Sequence, residues 1–239
     1  MRFAILFPLI ALGLCFIVWQ HGGWTWVLLW PALGFFVVGS AYAFTMPRVF
    51  GKRADGRLSP WSMILLFPFL FYSWGLWHLV RLLHRIHSRE AYASEIVPGI
   101  WLSRRILRHE VPAGVTCVVD MTCEFPAARG LVKSVACYCV LPTLDYGTPA
   151  PREAVALIEK LRGHGGGILV HCAQGHGRSA LLAAALLIGL GKAMDADEAL
   201  AVVKRGRPNA RLTPRQMAAL REIVGSLAKP GTALLDEDN

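Results

Sequence analysis

The chain has 239 residues, enough for one ordinary domain with additional elements. With 54% apolar residues and a mean hydropathy of +0.44, it is too apolar for a purely soluble domain, so a membrane-embedded portion is expected. The net charge of +9 is uneven, with eight Lys/Arg against one Asp in residues 1–89 and seventeen Lys/Arg against fifteen acidic residues in 90–239; the basic excess of the apolar part points to anionic lipid head groups or topology control, and with no zinc-finger spacing, helix-turn-helix cue or RNA-binding motif, nucleic acid is not expected as a partner.

Phe3 to Trp19 is apolar and uncharged, Gln20–His21–Gly22–Gly23 is a tight break, and Trp24 to Phe44 is apolar again. Two stretches of about twenty residues joined by a short turn predict a transmembrane hairpin over residues 1–44. Trp19, Trp24, Trp26 and Tyr42 fall near its ends, where interfacial aromatics are expected. A signal peptide is the rival reading of the first stretch, but no small-x-small cleavage site precedes a polar start.

Residues 45–60 form a polar, basic loop with Arg48, Lys52, Arg53 and Arg57 against Asp55, which the positive-inside rule puts in the cytoplasm. A third apolar segment, Trp61 to Val80, is interrupted by Pro68 and Gly75 and leads into basic residues, so that 61–93 forms one unit. If this segment crosses the bilayer, the basic loop and everything after it lie on opposite sides. If it is re-entrant or lies along the interface, they share a side. Leu79, Leu82, Leu83 and Ile86 recur at helical spacing with His78, Arg81, Arg85 and Arg89 on another face, which favours an interfacial helix on anionic lipid. A full span with a snorkelling basic end is the alternative.

From about Ser94 the texture becomes α/β. Ile96 to Leu102 reads as an opening strand with a turn, Val115 to Met121 and Val135 to Leu141 as strands, Pro151 to Arg162 as a helix with an N-terminal proline, and Ile168 to His171 as a short buried strand. Ala180 to Leu187 and Asp197 to Lys204 read as helices. Thr213–Pro214–Arg215–Gln216 supplies an N-cap, an N1 proline and an N3 glutamine for a last helix ending near Leu227. The fold class is therefore α/β, a central sheet flanked by helices and covered on both faces, with a phosphate-binding loop, preceded by an N-terminal helical transmembrane region. The α/β domain spans 94–228, and the tail 229–239 is expected to be disordered.

The loop is His171–Cys172–Ala173–Gln174–Gly175–His176–Gly177–Arg178–Ser179, between strand and helix. Loop N–H groups and a helix N-terminus favour an anion. The same field favours a thiolate at Cys172, and the planar fork of Arg178 suits two phosphate oxygens. The other five cysteines form neither a disulfide framework nor a paired CxxC zinc pattern, and Cys137 and Cys139 alternate along a strand as core residues. A proton donor on a mobile loop is available in Asp145, within Leu141–Pro142–Thr143–Leu144–Asp145–Tyr146–Gly147–Thr148–Pro149, although an Asx-turn alone would also explain an Asp there. Asp120 is the competitor; Asp120 and Glu124 are read as structural or as supporting the site residues from behind.

Cys172 and Arg178 with five residues between them, flanked by His171 and Ser179, resemble the signature of the protein tyrosine phosphatase superfamily. Pro98–Gly99–Ile100–Trp101–Leu102, Val118–Val119–Asp120–Met121–Thr122, and Arg207–Pro208 followed by Gln216 look like landmarks of its dual-specificity members, over residues 95–228. The resemblance implies a Cys172 nucleophile, Asp145 as general acid and then base, and Arg178 with the amides of Ala173, Gln174, Gly175, His176 and Gly177 as the phosphate cradle. It further implies Ser179 hydrogen-bonded to the departing thiolate, His171 orienting the loop and lowering the thiol pKa, and no metal or other cofactor. A thiolate enzyme belongs in a reducing compartment, so the domain is expected to face the cytosol. Ala173, Gln174 and His176 add no permanent charge to the loop, which argues against a polyphosphorylated head group. A membrane phospholipid monoester such as phosphatidylglycerophosphate is expected, with membrane phosphoproteins as the alternative and a non-catalytic adaptor that binds a phosphorylated partner as the remaining one.

Overall fold

A computed structural model describes residues 2–87 and 90–228; Arg89 and the tail expected to be disordered lie outside the described residues. The chain begins with α1 (Arg2–His21), followed by a 3-10 turn, Gly23–Leu28, and α2 (Leu29–Ala43). Gly22 and Gly23 both take positive φ, 56° and 57°, which makes the tight break between the two helices. The helices approach closely: a Cβ on Gly39 would lie 2.6 Å from Pro8 Cγ. Phe7 stacks on Phe3 and meets Phe69 edge-on, which brings in α3 (Pro60–His87). The windows Arg2–His21, Gly23–Ala43 and Pro60–His84 are each long and apolar enough to cross a membrane.

The α/β unit contains β1 (Ala93–Val97), β2 (Ile100–Arg104), β3 (Val115–Thr122), β4 (Cys137–Thr143), α4 (Pro151–Arg162), β5 (Gly167–Cys172), α5 (Arg178–Gly189), α6 (Ala196–Gly206) and α7 (Pro214–Leu227). The opening strand of the sequence reading is thus a hairpin, turned at Gly99 with φ 82°. Thr213 caps α7 through the expected reciprocal pair with Gln216. The sheet order is β1-β2-β5-β3-β4, parallel except for the β1–β2 pair.

The four helices of this unit, α4 to α7, share one face of the sheet. Chain direction explains it. The connections β2 to β3 and β3 to β4 step one way across the sheet, and β4 to β5 steps back. Right-handed crossovers in opposite directions lie on opposite faces. The β4–β5 crossover carries α4, and α5, α6 and α7 share its face, packing on Leu102, Val119, Leu141 and Val170. The other two crossovers have no long helix. Ile106, Ala128 and Leu131 cover Val118 and Leu169 instead.

The basic loop after α2 packs on this second side. Lys52 is fully buried, with its ammonium 2.7 Å from Asp120 Oδ2 and also donating to the carbonyl of Phe125. The Gly56 carbonyl accepts a hydrogen bond from Ala127 N (2.7 Å). Burial pushes the Asp120 carboxyl up, but the Lys52 charge, the neighbouring His171 and the hydrogen bonds from Lys52 and Tyr138 together outweigh it and hold Asp120 well below the usual carboxylate range. Tyr138 and Thr122 hydroxyls, each 2.7 Å away, complete its hydrogen bonding.

Helix α3 runs unbroken from Pro60 to His87. Near its start, Ser62 lies against Gly51. Leu66, Phe69 and Leu70 then share one apolar cluster with Cys123 and Leu144 of the α/β unit. Trp74 donates to the Glu124 carbonyl (2.9 Å), and Arg81 pairs with Glu110. Positions 66, 69, 70, 74, 77 and 81 form one helical stripe docked on the domain. Phe67, Phe71, Leu79 and Leu82 remain exposed on the rest of the helix. Both flanks of α3 therefore rest on the same domain, despite a length sufficient to span.

Replacing Lys52 by Met strands a buried carboxylate and is expected to cost about 3–5 kcal/mol of stability, read by denaturant unfolding in detergent. In sealed vesicles, single cysteines introduced at Asp55 and Lys192 are expected to label from the same side.

Candidate active site

Strand β5 ends at Cys172 and α5 begins at Arg178, so the intervening loop lies at a helix N-terminus. Gly175 makes the turn with φ 78°, and a Cβ there would lie 2.6 Å from Arg104 N and Ser103 O. Only glycine fits without moving the end of β2.

The carbonyls of Ala173, Gln174, Gly175 and His176 are engaged from outside the loop. Ala173 O accepts from Arg105 N (3.2 Å) and from the Trp77 indole of α3 (3.3 Å). The buried Arg207 guanidinium donates to Gly175 O (2.9 Å) and reaches Gln174 O (3.5 Å), and Arg211 N donates to His176 O (2.9 Å). Four successive peptide units are thus fixed with their oxygens outward, which turns their N–H groups toward the loop centre. Gly175 N is 3.2 Å from Cys172 Sγ, and Ser179 Oγ is 3.2 Å from the same sulfur.

Arg178 is almost wholly buried. It donates two parallel hydrogen bonds to Glu124, Nη1 to Oε2 at 3.0 Å and Nη2 to Oε1 at 2.8 Å, and Nη1 donates to Thr143 O at 2.8 Å. Nη2 is also 3.2 Å from Asp145 Oδ1. Its Nε is buried with no partner among the described residues. An orphaned buried donor costs free energy until an acceptor reaches it, so this edge of the guanidinium suits an oxyanion. Burial of Glu124 pushes its carboxyl up, but Arg178 outweighs that and holds it low. Asp145 goes the other way: burial raises it, opposed by Arg178 and reinforced by Glu124. A raised carboxyl keeps its proton to higher pH, which suits a proton donor.

Cys172, Arg178 and Asp145 line one cavity of about 510 Å³, with Gln174, His176, Gly177 and Tyr146. Arg211, Leu212 and Gln216 form its far wall. His171 does not line it. Its imidazole is buried behind the loop, 3.8 Å from Asp120, and burial keeps it below its ordinary pKa. A neutral imidazole adds no positive charge near the sulfur. His176 bonds Glu90 (3.0 Å), and burial lowers its pKa despite that carboxylate.

Sequence reading passed over several parts of this arrangement. Glu124, legible only as a structural or supporting acid, holds the arginine. Arg207 appeared only as a landmark, yet it holds the loop carbonyls. Trp77, Arg211 and Lys52 carried no local signal. A lone acid just past β3 is the one cue that pointed toward a buried partner.

The profile described as dual specificity phosphatase, catalytic domain, matches residues 114–224. No curated protein matches the chain. Among solved structures, a mouse putative dual specificity phosphatase complexed with zinc tungstate is 22% identical, with a TM-score of 0.49 over 59% of this chain and 91% of that one. PTPMT1 in complex with PI(5)P is 22% identical, with 0.49 over 57% and 97%. Human DUSP28 is 23% identical, with 0.49 over 56% and 97%.

Gly175→Ala is expected to weaken competition by inorganic phosphate at least about tenfold and to cost about 1–3 kcal/mol of stability through the strained turn. Inhibition constants and denaturant unfolding test the two effects.

Proposed function

Residues 114–224 belong to the dual-specificity phosphatase family, and from that premise we propose that this cysteine-dependent phosphatase hydrolyses a phospholipid monoester, such as phosphatidylglycerophosphate, at a membrane surface. The observation that carries the chemical part is the unpartnered Arg178 Nε beside a loop whose carbonyls all face outward. That arrangement offers donors to the equatorial oxygens of a phosphoryl group above Cys172 Sγ.

In the first step the Cys172 thiolate attacks phosphorus. The bond to the leaving oxygen breaks as Asp145 gives that oxygen its proton. Arg178 Nε and Nη2, with the amides from Ala173 to Arg178, hold the three non-bridging oxygens. In the second step Asp145, now ionised, takes a proton from water as the water attacks the phosphocysteine. Phosphate leaves and the thiolate returns, stabilised by the Ser179 hydroxyl. His171 is a positioning residue that packs the loop from behind. Residues 94–228 form the catalytic domain in this reading, and 1–44, 45–60 and 61–93 its membrane-associated part.

Three features support a lipid substrate. The cationic side chains on the cavity wall are Arg178 and Arg211, which suits one phosphate more than several. Helix α3 touches the loop itself through Trp77. The packing of the 45–59 loop and the α/β unit on each other supports α1 and α2 as a transmembrane hairpin with α3 lying along the interface, its exposed apolar face toward the acyl chains. The catalytic domain then shares the cytosolic side with the basic loop.

Phosphate release in mixed micelles tests this reading. Phosphatidylglycerophosphate is expected to be preferred over phosphotyrosine and phosphothreonine peptides and over phosphoinositides, with no release by Cys172→Ser. Preference for peptides replaces the lipid by a membrane phosphoprotein, and no release from any substrate leaves a binding adaptor. The pH profile of kcat/KM is expected to be a bell. Its basic limb lies above the ordinary carboxylate value of about 3.9 because Asp145 is raised. Asp145→Asn is expected to lower kcat by about 10²–10⁴ and to remove the basic limb.

A further inference from the structure

Beside the catalytic cavity is a second one, of about 200 Å³, between the N-terminal helices and the α/β unit. Its walls are Phe3, Leu6 and Phe7 of α1 and Phe69, Tyr72 and Leu76 of α3. Its inner end is formed by Asp145, Ala173 and Gln174. Asp145 and Gln174 also line the catalytic cavity, so the two spaces adjoin across the acid and the loop.

We infer that this groove holds the first part of one acyl chain of the phospholipid whose phosphate lies over Cys172. The inference rests on the lipid reading above and specifies how the lipid is recognised. Charge decides against a second phosphate in the groove, because no Lys or Arg lines it and Glu124 and Asp145 do. Its volume is below the range of about 300–1,000 Å³ typical of a whole small-molecule ligand, which fits a segment of chain. Continuity supplies the occupant. The groove opens between α1 and α3, whose candidate spans expose Leu9 and Leu12 on one and Phe71 on the other, while Leu6, Tyr72 and Leu76 at the rim are themselves about half exposed. A chain leaving the groove therefore passes onto apolar helix surface with no polar barrier between. Burying the first methylenes there is favourable by the ordinary hydrophobic term, whereas a soluble head group gains nothing.

The groove also adjoins the loop that carries the acid. Phe3 of α1 meets Tyr146 at 6.0 Å between ring centroids, and Tyr146 directly follows Asp145 with φ 56°. A chain lying against Phe3 thus shares a wall with the segment that sets Asp145, and the groove contributes to substrate choice close to the chemistry.

The test compares dioleoyl with dihexanoyl phosphatidylglycerophosphate in the same detergent micelles, using full-length protein. The wild type is expected to prefer the long-chain substrate. Ser73→Phe and Leu6→Trp, which fill the groove, are expected to reduce the long-over-short ratio of kcat/KM about tenfold, the loss from about two buried methylenes. An unchanged ratio in variants that still hydrolyse the lipid overturns the groove while leaving the lipid reading intact. Hydrolysis of phosphopeptides alone overturns the lipid reading itself. As an independent measurement, a long-chain analogue with a diazirine near the carbonyl end of one chain is photolysed with the Cys172→Ser protein. Label on α1 and α3 residues of the groove is expected; label confined to their outer faces overturns the inference.

Discussion

The ammonium of Lys52 lies 2.7 Å from the carboxylate of Asp120, with both side chains out of water. Breaking such a pair leaves a buried charge, so the arrangement is far more costly to half-dismantle than to keep. Its consequence reaches beyond local stability. Lys52 stands between α2 and α3, and Asp120 stands in the strand next to the one that ends at Cys172. One ion pair thus ties the helical N-terminal part to the sheet beneath the site. It also fixes the basic loop against the α/β unit.

Once the loop is held there, α3 has only the surface of the domain to follow. Its inward stripe packs against Cys123 and Leu144 and then reaches the phosphate loop through Trp77. The loop owes its shape to such distant donors. Its carbonyls are taken by α3, by the segment after β2, by Arg207 after α6 and by the segment before α7. Amides point inward because every oxygen has been claimed elsewhere, and a preorganised anion site needs that arrangement before the anion arrives.

The electrostatics of the two carboxylates near Arg178 follow from how each meets it. Glu124 is buried and takes both ends of the fork, so its charge is compensated and its proton lost. Asp145 receives one longer contact and also feels Glu124, so its proton is retained more easily. Two acids around one guanidinium are thereby separated into a holder of the arginine and a carboxyl that keeps its proton to higher pH.

Much of this chain could be read from local pattern. The strand, glycine-bearing loop and helix around Cys172, the apolar stretches, the capping box at Thr213 and the helix from Pro151 each depend on residues within a few positions of one another, and local physics decides them. The distribution of helices over the sheet did not, because it follows from strand order and crossover handedness. Nor did the partner of Arg178, which lies 54 residues away at Glu124, or the burial of Lys52 in a loop that reads as solvated and basic. Composition alone made the third apolar segment equally suited to crossing a membrane or lying on one. Tertiary packing adds what composition lacks, a stripe of α3 docked on the α/β unit, since hydropathy measures what a segment can bury and only its contacts reveal what it buries against.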